Sequence, residues 1–175
     1  MLTTKPTHGS VTFRFNNDVL ERLRRESDQK RISLNTLASQ IFQSHVEYHM
    51  YASRAGMISL PKSMLVRIMN GLSDHEVDAL SEHMAKNEIK DMTRLVKNEY
   101  SIPAFLDMFE SWLRTSGFAY RREVVGGVQT FMIQHDMGRR WSTYLEKLIE
   151  FVFKDLNEEK PSFDVSDNAV SFRIR

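Results

Sequence analysis

Near the start of the chain Val11, Phe13 and Phe15 alternate with Ser10, Thr12, Arg14 and Asn16. Strict period-two alternation in a stretch rich in β-branched and aromatic residues predicts a strand over 10–16, with one apolar and one polar face. A lone strand leaves its backbone donors and acceptors unpaired, and the segments that follow read as helices. The nearest mate is therefore the same strand of a second copy of the chain. Asn16, Asn17 and Asp18 offer caps for a helix to about residue 28, with Val19, Leu20 and Leu23 on one side and Glu21/Arg25 and Arg22/Glu26 pairs one turn apart. Ser33 can cap a second helix through 51, in which Leu34, Leu37, Ala38, Ile41, Phe42 and Val46 keep the helical period.

Beyond it, ASRAGMISL reads as a joint with Gly56 as the helix stop, and Pro61 in a first-turn position with Gly71 at the far end marks a short helix. Ser73 and Glu76 have the spacing of a capping box at the head of a helix that continues to about 99. A further helix starts near Pro103 and runs to Gly117. The texture then changes to two strand-like runs around Gly126-Gly127, a hairpin signal. An apolar helix over 138–156 and a second hairpin around Ser166-Asp167-Asn168 complete the chain. The class is α+β, with a small antiparallel sheet covered by helices. The division expected is 1–52, a helical connector over 53–100, and an α+β dimerisation or sensor domain over 101–175.

Composition narrows the chemistry. With no cysteine among 175 residues, disulfides, thiolate metal sites and thiol nucleophiles are excluded. The net charge of +1 comes with only a slight basic excess in the first fifty residues, so any nucleic-acid contact must be local. No run of about 18 apolar residues occurs and the polar start does not read as a secretion signal, so a cytoplasmic protein without membrane contact is expected.

SVTFRFNNDVLERL…RISLNTLASQIF resembles the ribbon-helix-helix family of DNA-binding proteins, the Arc/MetJ/CopG type, over about residues 9–48. The resemblance implies an intertwined homodimer, open to higher assembly, whose paired strands lie in the major groove of double-stranded DNA near the nucleoid. It puts Ser10, Thr12 and Arg14 toward base edges. Arg14 can bond guanine O6 and N7 together, and Thr12 offers a hydroxyl or a methyl group. It makes the start of the second helix a phosphate clamp built from Ser33, Leu34 and Asn35, with Lys30 and Arg31 beside it. DQKRI lacks the glycine the family usually carries between its helices. The function implied is a sequence-specific transcriptional regulator, a repressor in the family's usual mode. The alternative from a different class is a protein-interaction or antitoxin-like module that uses the ribbon only to dimerise.

Three other groups were weighed. His45 and His49, one turn apart around Glu47, lack a third metal ligand nearby and read as structural or surface residues. His135, Asp136, Arg139 and Arg140 leave a strand and open a helix, which makes them a candidate anion, ligand or nucleotide-sensing site. Against that, Asp136 can cap the helix while the arginines stay solvated. No second carboxylate, phosphate loop or nucleophile accompanies them, so no enzyme and no cofactor is expected. Ten methionines and the aromatic runs FLDMFESWL and LIEFVF read mainly as adaptable core, although a domain responding to an unidentified small-molecule or protein effector would need such a cavity.

Overall fold

A computed structural model describes residues 9–174. The chain divides into two compact units, one ending at Gln43 and one beginning at Ser44.

The first unit holds two helices, α1 (Asn17–Gln29) and α2 (Leu34–Ser44). Asn16 is the residue before α1, but its side chain does not bond the helix. The turn after α1 explains how the chain manages without glycine. Arg31 takes the left-handed conformation (φ 54°), the Arg31 N–H donates to the Asp28 carbonyl and the Ile32 N–H to that of Ser27, closing a Schellman motif. Ser33 then caps α2, its Oγ accepting from the Thr36 N–H at 3.0 Å.

Residues 9–16 lie before α1 with no ladder partner among the described residues, so the strand expected over 10–16 is not formed among them. A strand is defined by pairing, and among the described residues the strands that pair lie beyond residue 118. All of residues 10–16 are exposed, and Phe13 stacks on Phe42 of α2 at 5.1 Å and lies 5.9 Å from Phe15.

The second unit opens with a π-helical turn (His45–His49) and α3 (Met50–Ala52). Gly56 stops the helix at φ 71°, as expected, and Met57 N–H closes the turn on the Ala52 carbonyl. Pro61 stands one position before α4 (Lys62–Asn70) rather than inside its first turn. The Ser73/Glu76 capping box is complete: Glu76 Oε2 accepts from the Ser73 N–H at 2.7 Å and starts α5 (Asp74–Met84). A second π-helical turn (Ala85–Ile89) leads into α6 (Lys90–Lys97), so the single helix expected to 99 carries an extra residue in mid-course. On either side of this turn Ser81 and Thr93 donate back to the Val77 and Ile89 carbonyls at 2.7 and 2.6 Å, bonds of the kind that bend helices.

Then follow α7 (Ile102–Thr115), β1 (Ala119–Val125), β2 (Val128–Gln134), α8 (Arg139–Asp155), β3 (Ser162–Val165) and β4 (Ala169–Ile174). The four strands form one antiparallel sheet in the order β1-β2-β4-β3, so the two hairpins meet through β2 and β4. Gly126 and Gly127, both at positive φ, make the two-residue turn that the right-handed twist of a hairpin favours. One sheet face carries Phe131, Ile133, Val170 and Phe172, all buried; its neighbours on the other face, such as Arg121 and Arg173, remain exposed. Phe131 pairs with Phe172 in register and their rings stack at 4.9 Å. Phe105, Phe109 and Leu113 of α7 and Leu145, Leu148 and Val152 of α8 complete the core. The stretch expected as a connector contributes Val77, Ala85 and Met92 to that same core, and the division falls after residue 43 rather than 52. No helix among the described residues is long and apolar enough to cross a membrane.

Candidate functional site

The first unit is poor in buried apolar side chains. Leu37 is its one fully buried hydrophobic residue among those described. Val11 is 72% exposed, Phe13 49% and Phe15 46%, and Val19, Ile41 and Phe42 are comparably open. At about 25 cal/mol for each Å² taken out of water, so much uncovered apolar surface on so small a unit favours association. Ser10, Thr12 and Arg14 are also exposed, at alternate positions to the three apolar side chains.

At the head of α2, the Ser33 cap occupies the Thr36 N–H and also meets the Thr36 hydroxyl at 2.7 Å. The Leu34 and Asn35 N–H groups precede the first intrahelical donor and have no carbonyl within the helix to bond. The first turn of α2 carries no acidic residue. Lys30 donates to Glu26 at 2.6 Å, an exposed pair one turn apart, and the neighbouring Arg31 side chain is exposed. Thus Arg31, Ser33, Leu34 and Asn35 follow Lys30 through the turn into α2, with fixed N–H donors and the exposed Arg31, while Lys30 is paired to Glu26. The helix dipole and those donors suit an anion with several oxygens.

The 134–141 segment is arranged differently from a ligand site. His135 is fully buried, its Nδ1 accepts from the Met137 N–H at 3.0 Å, and its Nε2 lies 2.8 Å from Ser142 Oγ. With Nδ1 accepting, the proton sits on Nε2 and points at Ser142, whose hydroxyl reaches the Asp167 carbonyl at 3.3 Å. Burial drives the His135 pKa down to about 4, against a smaller opposing pull from Asp136 and with a further push from Lys62. The ring is therefore neutral and structural at neutral pH. Asp136 sits at φ 54° bonded by Gln134 and does not cap α8; Gly138 holds the capping position, its N–H donating to Asn168 Oδ1 at 3.0 Å. Arg139 donates to the Val165 carbonyl at 2.7 Å and Arg140 pairs with Asp74, so neither cation is held out for an anion. These contacts join β2, α8 and the β3–β4 turn. Their partners Ser142, Asp167 and Asn168 lie 7 to 33 residues from His135 in sequence, which is why pattern alone does not reveal them.

The buried histidine makes stability depend on pH. In the unfolded chain it takes up a proton near 6.5, in the folded protein only near 4. The unfolded state thus binds more protons between those values, and stability falls as pH drops from 6.5 toward 4. The shift corresponds to about 3 kcal/mol. Urea unfolding at a series of pH values should show this loss, and His135→Asn should flatten the slope in that window. An unchanged slope would assign the acid sensitivity to carboxylates instead.

Among the described residues no group of three or more histidines and carboxylates is placed to hold a metal. Glu47, between His45 and His49, instead lies 3.7 Å from Arg114. Compared with family models, with curated proteins and with solved structures, the chain matches none.

Proposed function

We propose that the chain is a dimeric, sequence-specific DNA-binding transcriptional regulator that reads the major groove with a two-stranded ribbon. One observation carries this reading: residues 10–16 hold three apolar side chains at alternate positions, about half or more exposed, on a backbone without a ladder partner among the described residues. A second copy supplies both deficits at once. Pairing the two segments antiparallel satisfies the backbone and sets the apolar faces over the helices, as Phe13 already lies on Phe42. Ser10, Thr12 and Arg14 from each copy then line the opposite face, spaced to reach successive base edges. The α2 head with Ser33, Leu34 and Asn35 holds phosphate and fixes register, with Lys30 and Arg31 adding charge. The operator contains short repeated half-sites, matching the symmetry of the ribbon.

Selection of bound fragments from a random duplex pool by the full chain tests this directly. A recurrent symmetric or tandem motif supports the reading; a stable dimer that enriches no motif overturns it and leaves the ribbon as a dimerisation device alone. Two variants separate base reading from clamping. Arg14→Ala should lose about 1–3 kcal/mol of discrimination at one base position. Ser33→Ala should weaken binding to all sequences alike, together with a loss of about 1 kcal/mol in stability from the missing cap. Measured affinities for matched and mismatched duplexes at fixed salt distinguish the two.

A further inference from the structure

The sheet of the second unit ends in two edges of opposite character, since its order is β1-β2-β4-β3. The β3 edge is blunted: the strand has four residues, Pro161 precedes it, and the Val165 carbonyl accepts from the Arg139 side chain. The β1 edge is long and regular. It runs for seven residues paired one to one with β2, without proline, glycine or bulge, and no strand among the described residues lies on its other side. The two-residue turn makes Val125 and Val128 a hydrogen-bonded pair, so the backbone groups of residues 119, 121, 123 and 125 point to β2. Those of Tyr120, Arg122 and Val124 point to the free edge. Such an edge is a template for a further strand.

The strand that matches this edge is β1 itself. Laid antiparallel about a two-fold axis through Arg122, Tyr120 of one copy meets Val124 of the other and Arg122 meets its equivalent, so every outward donor and acceptor is used. On the solvent face Arg121 then lies opposite Glu123 on both sides of the axis. Within one chain these two exposed side chains pair only along the strand, where such a pair is worth little; across the axis four charges alternate in sign. Tyr120 packs beside Val124 and Ala119 beside Val125, covering two valines that are 64% and 73% exposed. Arg122, the charge on the inner face of β1, would bar a neighbour if left unpaired, but Glu110 and Gln129 hold it at 3.1 and 2.8 Å. Centring the axis on Arg121 or Glu123 instead sets like charges opposite each other, which singles out the register through Arg122.

We propose that β1 is a self-association surface, pairing antiparallel with β1 of a second copy about Arg122 and joining two sheets into one. The contact is separate from the ribbon over residues 10–16 and does not depend on whether the first unit binds DNA. Its small size puts it at the weak end of protein interfaces, so alone it does not hold a dimer at micromolar concentration. Beside another contact between the same copies, it forms at the high local concentration that the tether provides.

Because the chain lacks cysteine, the register can be read by disulfide trapping in the full-length protein. Arg121→Cys and Glu123→Cys chains are prepared separately and oxidised mildly, alone and mixed, at about 200 μM, where weak contacts are populated. In the mixed pair the Cα atoms lie about 4.5 Å apart, within disulfide reach, whereas two copies of either variant hold theirs about 8 Å apart, beyond it. The mixture should give at least about fivefold more linked dimer than either variant alone. Val124→Pro on both chains removes an outward N–H without touching the bonds to β2. It should return the yield to that of the single variants while tryptophan fluorescence shows the second unit folded. A mixture that links no better than its components overturns the proposal, and so does an excess that survives Val124→Pro.

Discussion

Replacing Phe172 with alanine should destabilise the second unit by about 3–5 kcal/mol, the loss typical of a large aromatic cut from a packed core. Phe172 is fully buried, stacks on Phe131 with the rings almost parallel, and lies 6.0 and 6.4 Å from Phe163 and Phe109. It thereby ties both hairpins to α7. Both tryptophans of the chain, Trp112 and Trp141, belong to this unit, so their fluorescence in a urea titration reports its unfolding alone. Val125→Ala at the exposed hairpin tip serves as a control, with a change expected within about 0.5 kcal/mol. A loss at Phe172 no larger than the control would mean that the inner sheet face is not the core.

Phe13→Asp should have the largest effect on function and almost none on the second unit. In the proposed ribbon, position 13 would lie near the middle of the apolar face, and an unpaired carboxylate there would cost several kcal/mol on each copy. The variant should run as a monomer at micromolar concentration and lose at least about a hundredfold in affinity for the selected duplex, since every 1.4 kcal/mol is a factor of ten. Light scattering reads the mass and tryptophan fluorescence shows the second unit intact. Persistence of a full-affinity dimer would place the dimer contact elsewhere.

Much of the fold is legible in the sequence because its signals are local. The Ser73/Glu76 box, the Gly126-Gly127 turn with its flanking strand-like runs, and Gly56 each act through neighbouring residues, and each is found where expected. What escapes depends on contacts distant in sequence. The turns at His45–His49 and Ala85–Ile89 insert one residue into a helix without a composition signature. The Arg31 turn shows that a left-handed position can be filled without glycine at a modest cost. Val77, Ala85 and Met92 look like one face of an amphipathic connector, and only the approach of α8 shows that the face is core. Likewise His135 has the local surroundings of a reactive histidine, while Ser142 and the Met137 N–H that neutralise that role are fixed by the tertiary turn.

Strand phase and the Ser33 cap can be read from a single chain, whereas a ribbon exists only between two. Amide hydrogen exchange over residues 10–16 in the intact protein reaches that point most directly. If two copies pair through this segment, alternate amides should be protected as a ladder requires, and protection should fall on dilution as the dimer separates. Uniform exchange at the rate of a free chain, at concentrations where the protein is a dimer, would contradict the account.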